Sequence, residues 1–340
     1  MKISFKSVKS APKEHFSLGL DIGTHAIKAV KLKKTENLVE LAGFCLEPVE
    51  LELPEILKKI RQSQGVDTVN IGFSGPATVI RQINFPRMNS DELKQALKFE
   101  AQKNIPFAIN EVSLDGCILK PDMPENKMLV LIAAVKKDLL NQRLKLCEDA
   151  GFKVNVVDLD SLALTNAFNY NYSDDENIKN KTAGLLNIGS GISNLNILEE
   201  QSLRLSRDIQ IAGKEITQKI SDILGLDFKA AEGLKLNPEK EKAVQMNTAL
   251  QSIIANLASD VRNSFDYYES QSSSAVSRVF LSGGAARFAG LKDALANLLG
   301  IEVECWDPFK KITLAADIDT GKIKSLSAQF AVAAGLALRS

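Results

Sequence analysis

Two short segments, far apart in the chain, carry the same arrangement of residues that could bind phosphate. Each has a side-chain oxygen, then isoleucine and glycine, then a hydroxyl residue: Asp21–Thr24 and Asn187–Ser190. Glycine lets backbone N–H groups approach a phosphate closely, the hydroxyl adds a donor, and a carboxylate beside the turn can hold Mg²⁺ through water. Two such turns facing each other would enclose a triphosphate between two domains.

The elements that must position these turns are pairs of antiparallel strands. Apolar residues predominate before each turn, which predicts strands at 16–23 and 183–189. Each turn leads into a second predicted strand, at 26–32 and at 194–198, where apolar and polar residues alternate. One glycine hairpin is equally typical of an ordinary tight turn. Recurrence of the whole strand–turn–strand pattern in the second half favours a duplicated binding site.

A third glycine site follows the apolar strand at 279–281. Gly283, Gly284 and Ala285 lead from this strand into the start of a helix. Such a break lets a flat base or a phosphate lie against the backbone near a helix N-terminus. Taken alone, it is equally consistent with a simple helix entry.

Composition excludes several classes of protein. The 340 residues include 42 basic and 42 acidic side chains, so no global charge indicates a nucleic-acid partner. Four cysteines without CxxC spacing and two histidines argue against structural zinc and fit a reducing compartment. No apolar run reaches the roughly 18 residues of a membrane span, and the N-terminus lacks the apolar segment of a secretory signal.

The middle of the first half has a different predicted order of strands and helices from the rest. A strand is predicted at 79–85 and a helix at 91–104. A hairpin of two strands follows at 112–119 and 128–135, and then a second helix at 137–150. This α+β unit is expected to interrupt the first sheet, which resumes at 154–158. The polar stretch 169–181 is the predicted connection between the two halves. Helices are predicted further on at 213–224, 227–234, 241–271, 291–299 and 327–338.

The three glycine motifs, in this order, resemble the phosphate-1, phosphate-2 and adenosine motifs of the actin/Hsp70/sugar-kinase superfamily. The unit at 78–152 resembles the inserted subdomain of the branch that contains the FtsA and PilM families. The segments that carry this resemblance are Arg81–Pro86, Glu100-Ala101 and Ile105-Pro106. Within this branch the PilM family is favoured, because the chain is short and Arg262–Tyr268 resembles part of its long helix.

The resemblance implies an α/β fold with duplicated actin-like (ribonuclease H-like) cores and an inserted α+β subdomain of FtsA type. The implied units are a first core (1–77 plus 153–181), the inserted subdomain (78–152), a second core (182–212 plus 275–340) and a helical subdomain (213–274).

The resemblance also implies ATP and Mg²⁺ as cofactors and assigns site residues by position. Asp21 would hold Mg²⁺ through water, and Asp160 would position attacking water as the candidate catalytic acid. The first phosphate loop would be Gly23, Thr24 and His25, with Lys28 as a phosphate contact, and the second Asn187, Gly189, Ser190 and Gly191. The nucleoside would contact Gly213, Lys214, Glu232, Lys235, Gly283, Gly284 and Ala285. For Lys28 and the Glu232–Lys235 pair, ordinary solvated side chains are an equally good interpretation.

Two residues depart from the pattern of active ATPases. Asn187 stands where an aspartate is usual, and an amide supplies neither negative charge for a metal nor a base. His25 occupies a loop position that is more often small. Since phosphoryl transfer depends on positioning and metal electrostatics, we expect ATP binding with weak or no turnover.

The function implied is that of a cytoplasmic scaffold recruited to the inner face of the inner membrane, with indirect membrane contact. Members of the PilM family bind the cytoplasmic N-terminal peptide of PilN, and other pilus components and self-association are further expected partners. The peptide is expected in a groove between the first core sheet and the inserted subdomain, near Arg81–Pro86 and Leu97–Pro106. Bound ATP is expected to fix the interdomain angle and so to favour the state that binds the peptide. The alternatives are an FtsA-like filament-forming protein and a sugar or acetate kinase.

Overall fold

The computed structural model describes residues 15–236 and 243–339, and only the backbone of 243–249. Within this part of the chain, strands form three sheets, and helices pack on their faces. The strands are β1 (His15–Ile22), β2 (Ala26–Lys34), β3 (Val39–Pro48), β4 (Thr68–Phe73), β5 (Thr78–Pro86), β6 (Val112–Met123), β7 (Lys127–Lys136), β8 (Lys153–Leu159), β9 (Thr182–Ile188), β10 (Ser193–Glu199), β11 (Ser202–Ile209), β12 (Arg278–Ser282), β13 (Glu302–Cys305) and β14 (Thr313–Leu314). The helices are α1 (Leu53–Gln64), α2 (Ser90–Ala101), α3 (Lys137–Asp149), α4 (Asp160–Tyr172), α5 (Glu176–Lys179), α6 (Gly213–Leu224), α7 (Phe228–Leu236), α8 (Ala243–Glu269), α9 (Leu291–Leu299), α10 (Thr320–Leu326) and α11 (Ala331–Leu338).

The two larger sheets repeat one topology. Their strand orders are β14-β3-β2-β1-β4-β8 and β11-β10-β9-β12-β13. In each, three antiparallel strands are followed by parallel ones. The registers also agree, because Asp21 lies opposite Lys28 and Asn187 lies opposite Asn194. The duplication therefore extends from the turns to the cross-strand pairs beside them.

The inserted unit is a three-stranded sheet, β5-β7-β6, with α2 on one face. Side chains alternate along β7, as they must in a strand. Val130 points toward α2 and packs with Phe85 and Leu97, whereas Leu129 and Leu131 point to the opposite face and line a cavity. The two faces of this sheet thus have separate roles.

Helix α11 lies against the first sheet with almost no side chain between backbones. A Cβ on Gly19 of β1 would lie 2.1 Å from the carbonyl oxygen of Ala333, and a Cβ on Gly335 would lie 1.8 Å from that of Ala163 in α4. Real Cβ contacts are essentially never shorter than 3.0 Å. Two glycines thus let α11 pack between β1 and α4.

Buried polar side chains hold the end of α11. The Lys34 ammonium donates to the carbonyl oxygen of Leu338 at 2.9 Å, and the Asn70 amide donates to that of Leu336 at 2.9 Å. These bonds satisfy carbonyls that a helix C-terminus leaves unpaired. Burial lowers the pKa of Lys34 to about 8. The unit boundaries predicted above place α11 in the second core, but its contacts, like the pairing of β14 with β3, are with the first sheet.

Local sequence patterns predict most elements, but they miss β11 and misassign part of one stretch. The helices predicted at 213–224 and 291–299 have these bounds in the structure. The stretch 169–181, predicted as a connection, is wrong in its first part, because Asn169–Tyr172 completes α4. Asn171 is fully buried, donates to the carbonyl of Pro308 and accepts from the N–H of Lys311, each at 2.8 Å. Polar composition therefore did not mean exposure here.

Candidate functional site

The two phosphate-type turns have the same backbone shape. A Cβ on Gly23 would lie 2.8 Å from the carbonyl oxygen of Ala26, and a Cβ on Gly189 would lie 2.7 Å from that of Ile192. Both distances are too short for any other residue without a shift of the backbone. The chain folds back on itself in each turn because glycine is present.

The turns meet across the cleft between the two larger sheets. The hydroxyl oxygen of Thr24 lies 3.1 Å from the position that a Cβ on Gly191 would occupy. Thr24, His25 and Gly191 are all exposed. The structure thus brings the two predicted loops together and leaves their polar groups accessible from solvent.

The residues beside the turns differ in charge. In the first turn, the Lys28 ammonium contacts the Asp21 carboxylate at 2.9 Å. In the second, the equivalent cross-strand pair is Asn187 and Asn194, and the Asn187 side-chain oxygen accepts a hydrogen bond from Ser282 at 3.2 Å. A charged pair on one side of the cleft therefore corresponds to a neutral amide pair on the other.

Helix α6 begins directly on the second turn. The N–H groups of Gly213 and Lys214 donate to the carbonyl oxygens of Gly189 and Ser190 at 2.9 and 2.8 Å. The Lys214 side chain is exposed. A helix N-terminus and a lysine beside the turn both favour negative charge at this place.

The predicted pair Glu232 and Lys235 forms a buried network with α6. The Lys235 ammonium donates to the Gly213 carbonyl at 3.2 Å, the Thr217 hydroxyl at 2.7 Å and Glu232 at 2.7 Å. Burial opposes ionisation of Glu232, but hydrogen bonds from Lys235 and Thr217 and the nearby His25 outweigh it and lower its pKa. Since all three donors of Lys235 are used, contact with a base would require one of these bonds to break.

The third glycine motif closes the other side of the cleft. Gly283 has a φ of 90°, a left-handed conformation that favours glycine. Gly284 faces open space, because the nearest atom to a Cβ there would be a Gln329 side-chain oxygen at 3.6 Å. Ala285 lies 3.7 Å from the Cβ position of Gly213, so the third motif and the start of α6 are neighbours.

Asp160 begins α4 at the inner end of the cleft. Its carboxylate lies over Gly72, where a Cβ would come within 2.2 Å of it. Burial and the charge of Asp21 raise the pKa of Asp160 to about 7, against a hydrogen bond from Ser74 and the positive charge of Arg143. The predicted catalytic acid and the predicted metal-binding acid are therefore electrostatic neighbours.

An Asp160→Asn variant is expected to be more stable than the parent protein at pH 8 and equally stable at about pH 4. The folded-state pKa of Asp160 is raised, so its ionisation destabilises the fold progressively as the pH rises from about 4 to about 7. The gain at pH 8 should be roughly 1–3 kcal/mol, less than the whole pKa difference implies, because the side chain is partly exposed. Urea unfolding at both pH values measures it.

The exposed Asp317 supplies a matched control for this prediction. Asp317→Asn makes the same chemical change away from the cleft and should leave the pH dependence of unfolding as it is in the parent. Equal stabilisation of the Asp160 variant at both pH values would show that its carboxylate is not destabilising when ionised.

The gathered residues fit the phosphates of a nucleotide. Glycine turns, hydroxyls, the His25 ring and a helix N-terminus supply donors, and Lys214 supplies positive charge. Among the residues that the structure describes, no group of three or more His, Cys, Asp or Glu side chains could hold a metal directly. Mg²⁺ is therefore compatible with this site only through water and phosphate oxygens, with Asp21 beside them.

Three residues of the site are not predicted from the sequence. Ser74 contacts Asp160, Arg143 donates to the carbonyl of Gly72 at 3.0 Å, and Thr217 joins the Glu232–Lys235 network. Ser74 was the most accessible of them to prediction, because it follows β4, and the carboxyl ends of neighbouring parallel strands meet at one edge. No local pattern marks Arg143 or Thr217.

A second concave region lies between the inserted sheet and the second core. This cavity of about 1100 Å³, called here the β5–β11 groove, is lined by residues from β5, β7, β11 and the end of α8, among them Arg81, Leu131, Arg207 and Tyr267. The predicted peptide segment Arg81–Pro86 lies partly on it. The other predicted segment, Leu97–Pro106, does not, because α2 packs on the opposite face of the inserted sheet.

The sequence of this chain is similar to those of known proteins. The FtsA cell division protein of Enterococcus hirae is 23% identical over 332 residues, which cover 88% of this chain and 72% of FtsA. That of Streptococcus pneumoniae is 25% identical over 236 residues, 66% of this chain and 47% of FtsA. No helix in 15–236 or 243–339 has the length and apolar content of a membrane span.

Solved structures show the fold. A PilM–PilN type IV pilus biogenesis complex matches with a TM-score of 0.84 and 24% identity, covering 95% of this chain and 98% of that one. MreB 5 of Spiroplasma citri, bound to AMPPNP, matches with a TM-score of 0.50 and 11% identity, covering 95% of each chain. The fold is therefore actin-like, as predicted. The model of the type IV pilus assembly protein PilM matches residues 19–340, and the chain belongs to the PilM family.

Proposed function

We propose that this protein is an ATP-binding scaffold of the type IV pilus assembly machinery. It binds the cytoplasmic N-terminal peptide of a PilN-type protein and is thereby held at the inner face of the inner membrane. The observation that carries the nucleotide part is the contact between the two glycine turns at Thr24 and Gly191. Membership of the PilM family, and the match to a structure that contains PilN, support the peptide part.

The nucleotide would lie with its phosphates at the paired turns and its base toward Gly284. MreB 5, which shares the fold, was solved with AMPPNP. Here Asp21 would orient the water shell of Mg²⁺, in competition with Lys28, which contacts the same carboxylate. Because the second turn has the neutral Asn187–Asn194 pair, we expect weak or no hydrolysis.

The peptide would bind in the β5–β11 groove as an extended strand. In the sheet orders, β5 and β11 are both edge strands, and the two border the same groove. An edge strand presents unpaired N–H and C=O groups, with which an extended peptide can form backbone hydrogen bonds. This arrangement favours a short unfolded segment over a folded domain as the occupant.

Side chains in the groove suit a peptide with apolar and acidic residues. Leu129, Leu131 and Tyr267 supply apolar surface. Arg207 is exposed and donates to the hydroxyl of Ser264 at 3.2 Å, and the exposed Arg81 donates to a neighbouring backbone carbonyl. Both guanidinium groups could turn to a carboxylate on the peptide at little cost.

The experiment is a binding titration with a synthetic peptide that has the N-terminal sequence of the PilN-type protein of the same organism. Tyr267→Ala should weaken binding of the peptide by about tenfold or more, since Tyr267 is 56% exposed and lines the groove. Phe99→Ala removes a ring that is 75% exposed on α2, outside the groove, and should leave affinity unchanged. The reverse result would move the peptide to the segment 97–106.

A further inference from the structure

Strand β11, which forms one wall of the β5–β11 groove, is fastened to the first half of the molecule at three places. The Asp208 carboxylate accepts a hydrogen bond from the N–H of Gly75 at 3.1 Å. The Ser206 hydroxyl bonds that of Ser161 at 2.8 Å. Near the other end of the strand, the Gln82 side chain donates to a backbone carbonyl of β11. The width of the groove therefore depends on these contacts.

Two of the three contacts are made by residues that lie beside the Asp160 site in the chain. Gly75 follows Ser74, whose side chain hydrogen-bonds the Asp160 carboxylate. Ser161 follows Asp160 itself, at the start of α4. The Asp160 carboxylate is therefore next to two of the contacts that hold β11.

Asp208 is also connected to the second turn. Its other oxygen accepts a hydrogen bond from the Asn194 amide at 2.9 Å, and Asn194 lies opposite Asn187 in the β9–β10 pair. The side-chain oxygen of Asn194 is buried without a hydrogen-bond partner. An unsatisfied buried group is costly, so a rearrangement that satisfies it is favoured.

We propose that Asp208 is a positioning residue that couples the nucleotide cleft to the groove. It contacts the first half through Gly75 and the second turn through Asn194, so a change in the separation of the two turns alters the position of β11. Occupation of the cleft thereby changes peptide affinity, and the peptide changes nucleotide affinity by the same factor. This inference rests on the proposed function.

The test measures this coupling factor. AMPPNP with Mg²⁺ is titrated into the full chain with and without saturating PilN-type peptide. In the parent protein the two affinities should differ by about fivefold or more. In Asp208→Ala the ratio should fall to within about twofold of unity. AMPPNP without peptide should bind within about threefold of the parent. The reason is that, in the part of the chain that the structure describes, Asp208 reaches the second turn only through Asn194 and makes no hydrogen bond to Asn187 or to Gly189–Gly191.

Glu302→Gln is the matched control. Glu302 lies on β13, the opposite edge of the same sheet, and pairs with Arg278 of the same half at 2.7 Å. This carboxylate-to-amide change should leave the coupling factor intact. Should Asp208→Ala fail to fold, the isosteric Asp208→Asn, which keeps one acceptor oxygen, should show a coupling factor below that of the parent.

The outcomes separate the two proposals. If the parent binds neither ligand, the proposed function fails. If it binds both without mutual influence, or if the Asp208 variants keep the full coupling factor, the inference about Asp208 fails and the proposed function stands. Loss of coupling in Glu302→Gln as well would overturn the assignment to Asp208.

Discussion

A Gly284→Leu variant is expected to lose nucleotide affinity by about 100-fold or more, which corresponds to roughly 2.7 kcal/mol, while its fold stays intact. Gly284 has φ −64° and ψ −39°, a conformation open to every residue. Its missing side chain points into open space on the predicted base side of the cleft. The Cβ of a leucine there would lie 3.6 Å from the nearest described atom, an ordinary van der Waals contact.

Titration with a fluorescent ATP analogue, together with thermal unfolding, checks this prediction. The unfolding free energy should change by no more than about 0.5 kcal/mol, as for most surface substitutions. Gly321→Leu, at an exposed glycine near the start of α10, is the control and should bind as the parent does. Undiminished binding by the Gly284 variant would place the nucleotide elsewhere.

A Gly335→Ala variant is expected to be destabilised by about 3 kcal/mol or more. Alanine in place of glycine inside a helix normally stabilises by up to about 1 kcal/mol. Here the added Cβ would lie 1.8 Å from a carbonyl oxygen of α4. Since that atom is backbone, relief requires α11 or α4 to move, and the overlap outweighs the helical preference.

Gly233→Ala provides the opposite case. Gly233 lies inside α7, and no atom of the residues that the structure describes is within 4 Å of its Cβ position. The Gly233→Ala variant should be more stable than the parent by about 0.5–1 kcal/mol. Chemical denaturation of both variants measures two effects of opposite sign from one chemical change. Stabilisation of both variants would mean that α11 packs less closely against α4 than the distance at Gly335 indicates.

The sequence predicts features that are encoded locally. Each phosphate-type turn combines a glycine, a hydroxyl and flanking alternation within about a dozen residues, so both could be found by pattern. Helix α6 was predicted with its bounds because its apolar face is regular and Gly225, with φ 63°, ends it. The actin-like fold followed from recognising that these local units recur.

Features set by distant contacts were not predictable in the same way. The packing of α11 has no local signature, because the contacts of Gly335 involve a residue far away in sequence. Contact between Lys235 and a base stays a prediction, and the sequence did not indicate that its three donors bind protein groups. A peptide contact at 97–106 stays a prediction, and sequence periodicity alone did not show that Leu97 and Ala101 of this segment pack against the inserted sheet.

The position of α11 has a consequence for synthesis of the chain. Strand β1 is made early and α11 late, and at ribosomal rates the interval is on the order of tens of seconds. During this time the first sheet lacks the helix that covers Gly19, and α4 lacks its neighbour. We therefore expect the nascent first core to stay exposed to chaperones until α11 has been synthesised, and premature termination shortly before α11 to yield an aggregation-prone product.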